Sequence, residues 1–156
     1  MAAIAGMAQT TTTTTRDTTI GPVGVGSTET LQINVANLAA NSTFGSSAGT
    51  AASCTGSITL NGSTGAAIGT STSFTVTSGE IFSVALPFAK ISSSTARVEV
   101  IGVIGLTTTS TSEAPCELHY SLETYDSTTG ATHVYLSGSA AEGQAVGAQI
   151  GGGQGR

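Results

Sequence analysis

The feature that most constrains this chain is a two-residue alternation of apolar and polar side chains, recurring in short segments with no helical period between them. Leu31, Ile33 and Val35 fall on one side of an extended backbone and Gln32 and Asn34 on the other, which is the pattern of a half-buried strand. Cys54, Ile58 and Leu60 oppose Thr55, Ser57 and Thr59. Phe74 and Val76 form a short segment stopped by Ser78-Gly79, and Phe82, Val84, Leu86 and Phe88 share one face of the next, where Pro87 marks a strand end or a sheet edge. The segment from Arg97 to Leu106 is apolar on both faces. Cys116, Leu118, Tyr120 and Leu122 alternate with Glu117, His119, Ser121 and Glu123, and a strand over Thr132 to Leu136 follows. The Asp126 to Gly130 stretch joins the last two, because Asp makes an Asx-turn and Gly accepts positive φ. About seven strands of this kind predict an all-β, Ig-like two-sheet antiparallel sandwich with extended low-complexity termini.

Two cysteines, Cys54 and Cys116, lack the C-x-x-C spacing and the nearby histidine of a metal site. Either they are unrelated buried thiols or they form one disulfide. Both open strands on the inward parity, and inward side chains of two packed sheets meet across about 10 Å, which favours an inter-sheet bridge. Abundant Ser, Thr and Gly with few charges fits an extracellular, periplasmic or cell-surface location, where disulfides persist.

The chain divides into an N-terminal Thr-rich extended segment (residues 1–28), a sandwich domain (29–137) and a Gly/Ala/Gln-rich tail (138–156). Residues 1–9 resemble the remnant of a signal peptide. Thr10, Thr11, Thr12, Thr13, Thr14 and Thr15 carry no apolar alternation, so no half-buried strand is expected from them alone. Backbone hydrogen bonding suits such a tract. Together with Ile20, Val23 and Val25 as shallow anchors, it is a candidate assembly segment that lies along the sheet edge of a second copy. Ile101 and Val103, on the second apolar face of their strand, are the matching candidates for a partner chain.

The 156 residues carry 8% charged side chains, against about 25% in an average protein, with a net charge of -5. Four cations offer no basic surface to neutralise phosphates, so nucleic acid is not an expected partner. No apolar run is long enough to span a bilayer as a helix. No phosphate-binding loop, calcium loop or other cofactor motif is present, and no cofactor or metal is expected. The titratable groups concentrate on the outward face of the last hairpin: His119, Glu123, Tyr125, His133 and Tyr135 form a candidate binding face. Pairing across the turn predicts Glu123 opposite His133 and Ser121 opposite Tyr135. A nucleophile and base can be drawn as Ser121 with His119 or His133, yet outward neighbours on an open sheet supply neither oxyanion donors nor water exclusion, so no catalytic residue is assigned.

The segments Glu29 to Asn37, Ala52 to Ile58, Ser73 to Thr77 and Cys116 to Asp126, with Thr129-Gly130, resemble a class of small secreted bacterial β-sandwich proteins without an assigned activity. The Cys-opened strand ending in Tyr-Asp-x-x-Thr-Gly is the most specific part. The resemblance implies export, one disulfide and a sandwich, and it brings no catalytic residues. Two functions are therefore expected. One is an extracellular structural protein acting by homotypic assembly, of filament or surface-layer type, with copies of itself as partner. The alternative is a non-catalytic binding or adhesion module that contacts a cell-surface glycan or protein through the outer face of the Cys116–Leu136 hairpin.

Overall fold

The computed structural model describes residues 13–38, 53–91, 96–109 and 116–141. The assembly-segment residues Thr10 to Thr12 and the tail beyond Ala141 lie outside them. Among the described residues the chain runs β1 (Thr13–Gly26), β2 (Glu29–Asn37), β3 (Cys54–Gly62), β4 (Thr72–Val76), β5 (Ile81–Pro87), a one-turn helix α1 (Phe88–Ile91), β6 (Arg97–Thr109), β7 (Glu117–Asp126) and β8 (Thr132–Ala141). These strands form two antiparallel sheets of four, ordered β1-β6-β3-β4 in the first and β5-β2-β7-β8 in the second. The two-sheet antiparallel sandwich read from the alternation is thus the fold. Likeness to immunoglobulins stops at the architecture, since β1 and β2 lie in opposite sheets here whereas the first two strands of an immunoglobulin domain share one.

Alternation becomes burial in the way the pattern requires. Leu31, Ile33 and Val35 of β2 and Leu118, Tyr120 and Leu122 of β7 are buried, and they meet Ile58, Leu60, Val100, Ile104 and Leu106 of the first sheet. Phe74 and Phe82 close one side of the sandwich with ring centroids 6.0 Å apart. Phe88, on the single helical turn after Pro87, is buried against the same core. Cys54 and Cys116 are bonded, with their Cα atoms 5.6 Å apart. The bridge joins β3, in the interior of the first sheet, to the residue just before β7, in the interior of the second. A closed loop spanning 62 residues contributes about 4 kcal/mol in the chain-entropy account.

At both ends the strands extend beyond the bounds read from the sequence. The sandwich begins at Thr13 rather than Glu29, because residues 13–26 pair with β6 of their own chain along nearly their whole length. Alternation was hidden there by a break of phase: Thr18 and Ile20 point inward, Gly21 and Pro22 form a bulge around a cis peptide bond, and Val23 and Val25 then resume the inward position. Ile20, Val23 and Val25 are accordingly parts of this molecule's own core, at 6%, 3% and 0% exposure. Ile101 and Val103 are only half-buried but are flanked within the sheet, Val103 between Thr19 and Thr59 and Ile101 beside Asn61. At the other end β8 continues the sandwich to Ala141, past the predicted boundary at residue 137.

Large inward side chains need room, and glycines on the opposing strands provide it. A Cβ on Gly102 would stand 2.7 Å from Ile33 Cδ1 and 3.0 Å from Ile20 Cγ2, so the gap lets the two sheets interlock. On Gly56 it would stand 2.2 Å from the Gly105 carbonyl oxygen and 2.6 Å from the Phe74 ring. Terminal methyls yield more readily than a backbone carbonyl. Gly56→Ala is therefore expected to destabilise by about 1–3 kcal/mol and Gly102→Ala by less, measured by urea denaturation with the disulfide intact; the reverse order would contradict this packing.

Candidate binding groove on the second sheet

Strand order and register assemble the site from four strands. On the outer face of the second sheet, Ser83 of β5, Asn34 of β2, Ser121 of β7 and Ser137 of β8 lie side by side in one row. The next row carries Ile81, Ala36, His119 and Ser139, and the row on the other side Ala85, Gln32, Glu123 and Tyr135. Small side chains through the middle and larger ones at the margins leave a concave groove of about 760 Å³ running across the strands. Its lining includes both large exposed hydrophobic side chains found among the described residues, Ile81 at 68% and Tyr135 at 53% exposure. They stand on the two edge strands, at opposite ends of the groove.

Asn34 organises the floor. Its Oδ1 accepts from Gln32 Nε2 at 2.8 Å and from Ser83 Oγ at 2.6 Å, while its Nδ2 donates to Ser121 Oγ at 3.1 Å and to Glu123 Oε1 at 3.2 Å. Two bonds accepted and two donated use the full capacity of a side-chain amide, so this residue fixes the floor in one arrangement. At the β8 end Gly138 makes space for Tyr120: a Cβ there would come within 2.6 Å of the phenol oxygen. Burial pushes the Tyr120 hydroxyl above its ordinary pKa.

The hairpin differs in register from the sequence expectation. Glu123 pairs with Tyr135 and Ser121 with Ser137, two residues along from the expected partners. A shift of two preserves the faces, so His119, Glu123 and Tyr135 do share the outer face, with His119 and Tyr135 in the groove and Glu123 held by Asn34. Tyr125 lies one row further along, opposite Thr30 and Thr132. His133 is separated from them by a ladder irregularity between Thr124 and Tyr125, and its Nδ1 is hydrogen-bonded to Glu29 Oε1 at the foot of β2. His133 therefore neither faces Glu123 nor stands near Ser121 in the ladder. His119 shares the face of Ser121, whose oxygen receives the Asn34 amide. Sequence reasoning missed Asn34, Ser83, Ser137 and Ile81; the only available signal was their outward parity, which many Ser and Thr residues share. Among the described residues no group of three or more His, Cys, Asp or Glu side chains is placed to hold a metal ion.

Below the groove, the turns of the sandwich are fixed by carboxylates. Asp126 Oδ1 accepts from the Thr128 and Thr129 amides at 2.9 and 2.7 Å and from the Thr129 hydroxyl at 3.0 Å, and Gly130 takes φ +72°, which is the expected Asx-turn. Bonds from Thr129 and Thr128 hold the Asp126 carboxyl below its usual pKa. Glu29 is shifted the same way, first by the His133 hydrogen bond and then by the Gly26 amide, which donates to Oε2 at 2.6 Å. A carboxylate with a lowered folded pKa contributes stability above its unfolded value, here 4.5, and loses it as pH falls through the folded value. Exposure of His133 lets solvent screen the pair, so the contribution is below about 1 kcal/mol. Glu29→Gln is expected to lower the melting temperature near neutral pH and to flatten its decline on acidification; an unchanged acid limb in thermal melts would contradict the role given to Glu29. In comparisons with known proteins, no family model, no curated protein and no solved structure matches this chain.

Proposed function

We propose that this chain is a secreted, non-catalytic binding module whose ligand lies in the groove on the outer face of the second sheet. One observation carries the reading: the large hydrophobic side chains exposed among the described residues, Ile81 and Tyr135, both border the same polar concavity. Recognition sites combine apolar surface with a few fixed hydrogen-bonding groups in one concavity, and this groove holds both. Secretion accords with the disulfide, which persists in an oxidising compartment. Homotypic assembly through a donated N-terminal strand is the less favoured reading, since the segment from Thr13 to Gly26 is consumed by β6 of its own chain. Catalysis by Ser121 is also less favoured: its one same-face histidine, His119, sits on an open sheet face with no oxyanion donors among the described residues.

Arrays of glycans and of peptides, read by surface plasmon resonance with the full-length chain, test the proposal. Ser83→Arg and Ser137→Arg fill the groove from either end, whereas Thr75→Arg alters the exposed outer face of the first sheet. Each groove variant is expected to weaken binding by about tenfold or more, Ser137→Arg with an unchanged melting temperature, and Thr75→Arg to leave binding intact. A wild-type chain silent on both arrays, or binding lost with Thr75→Arg and kept with the groove variants, would overturn the proposal.

A further inference from the structure

We infer that the occupant of this groove is an uncharged linear oligosaccharide lying obliquely across the strands, an inference that rests on the groove reading above. Charge comes first. Among the described residues that line the groove none is Lys, Arg, Asp or Glu, and His119 is the one that can carry a charge. Arg97 sits on the first sheet, where it is paired with Glu99 at 3.2 Å, and Lys90 is on α1. Among the described residues, an anionic ligand meets at most the single imidazole of His119, and a cationic one meets Glu123 beside the groove, already bonded to Asn34.

The hydrogen-bonding surface narrows the chemistry further. Ser83, Ser121, Ser137 and Ser139 place hydroxyls along the groove; Ser83 gives its hydrogen to Asn34 and can still accept, Ser121 accepts the Asn34 amide and can still donate, and the Ser137 and Ser139 hydroxyls can do either. Sugar hydroxyls both donate and accept, so a set of serines that offers both roles matches a polyol. Peptides bind sheets chiefly by adding a strand to an edge, where main-chain groups give the affinity. This groove instead crosses the strands and offers side chains from all four.

Geometry supplies the length. From Ile81 to Tyr135 the path crosses three strand spacings and two side-chain rows, a diagonal on the order of 20 Å. Strand spacing of about 4.8 Å is close to the length of one pyranose ring in a linear glycan. The groove thus accommodates about four rings. Tyr135 provides a ring face for the carbon-bound hydrogens of a terminal sugar, and Ile81 an aliphatic surface at the other end. Asn34, with its hydrogen-bonding capacity spent inside the floor, keeps the hydroxyl row in register, so little is lost on binding to ordering the site.

Titration calorimetry of the full-length chain with cello-, xylo-, manno- and chito-oligosaccharides, from disaccharide to hexasaccharide, tests the inference. For at least one series, affinity is expected to rise to about the tetrasaccharide and then level off, and to change little between about 0.05 M and 0.5 M salt. Tyr135→Ala is expected to weaken binding about tenfold, while Tyr135→Phe retains it within about twofold. Silence toward every neutral series, with peptides or charged glycans displaced by the groove-filling substitutions, overturns the oligosaccharide and leaves the groove standing. Affinity independent of chain length, or binding that survives both Ser83→Arg and Ser137→Arg, overturns the inference as well.

Discussion

The pairing of β1 with β6 is the interaction on which the rest of the structure depends. β6 is apolar on both faces, with Val100, Ile104 and Leu106 turned into the core and Ile101 and Val103 turned outward. Left as an edge, such a strand is a template for pairing with another chain. β1 covers that edge along its length, adds Ile20, Val23 and Val25 to the core, and places Thr18 and Thr19 at the seam. The edge left exposed is then the Thr-rich β1, bulged at Gly21 and Pro22, and a bulge with a proline is a poor template for further pairing. With β1 in place, β6 is an interior strand of its own chain's sheet.

Core and disulfide act together on the sheet faces. The buried side chains are mostly Val, Ile and Leu, with aromatic contributions from Phe74, Phe88 and Tyr120, so the sheets interlock at small scale through gaps such as Gly102. Joining Cys54 to Cys116 fixes the parity of β7 relative to β3. With Leu118, Tyr120 and Leu122 committed inward, His119, Ser121 and Glu123 have nowhere to point but outward. The composition of the groove floor is therefore a consequence of how the core is filled on the other side of the same strands.

Strands β2, β3, β5 and β7 were legible in the sequence because each turns one face toward the core without a break in alternation. β1 was not, since the bulge at Gly21 and Pro22 puts Ile20 and Val23 three residues apart and conceals that both point inward. Register in the last hairpin was misread by two residues because the turn chemistry of Asp126 and Gly130 locates the loop but says nothing of the irregularity beside Thr124 that releases His133 toward Glu29. The outer face of β7 was recognised in spite of this, since a two-residue slip keeps parity. Most of the groove could not be read at all. Ser83, Asn34, Ser121 and Ser137 become neighbours only through the order β5-β2-β7-β8, in which chain neighbours are mostly separated, and nothing local to any one of the four signals that order.

Amide hydrogen exchange on the full-length chain at low and high concentration tests the central claim, that this is a self-contained sandwich whose β1 belongs to its own sheet. The account predicts slow exchange at every second amide from Thr15 to Ile20 and again around Val23 to Val25, the amides directed at β6, with protection that does not change on dilution. Fast exchange throughout β1 in the dilute monomer, with protection gained only as copies associate, would contradict it.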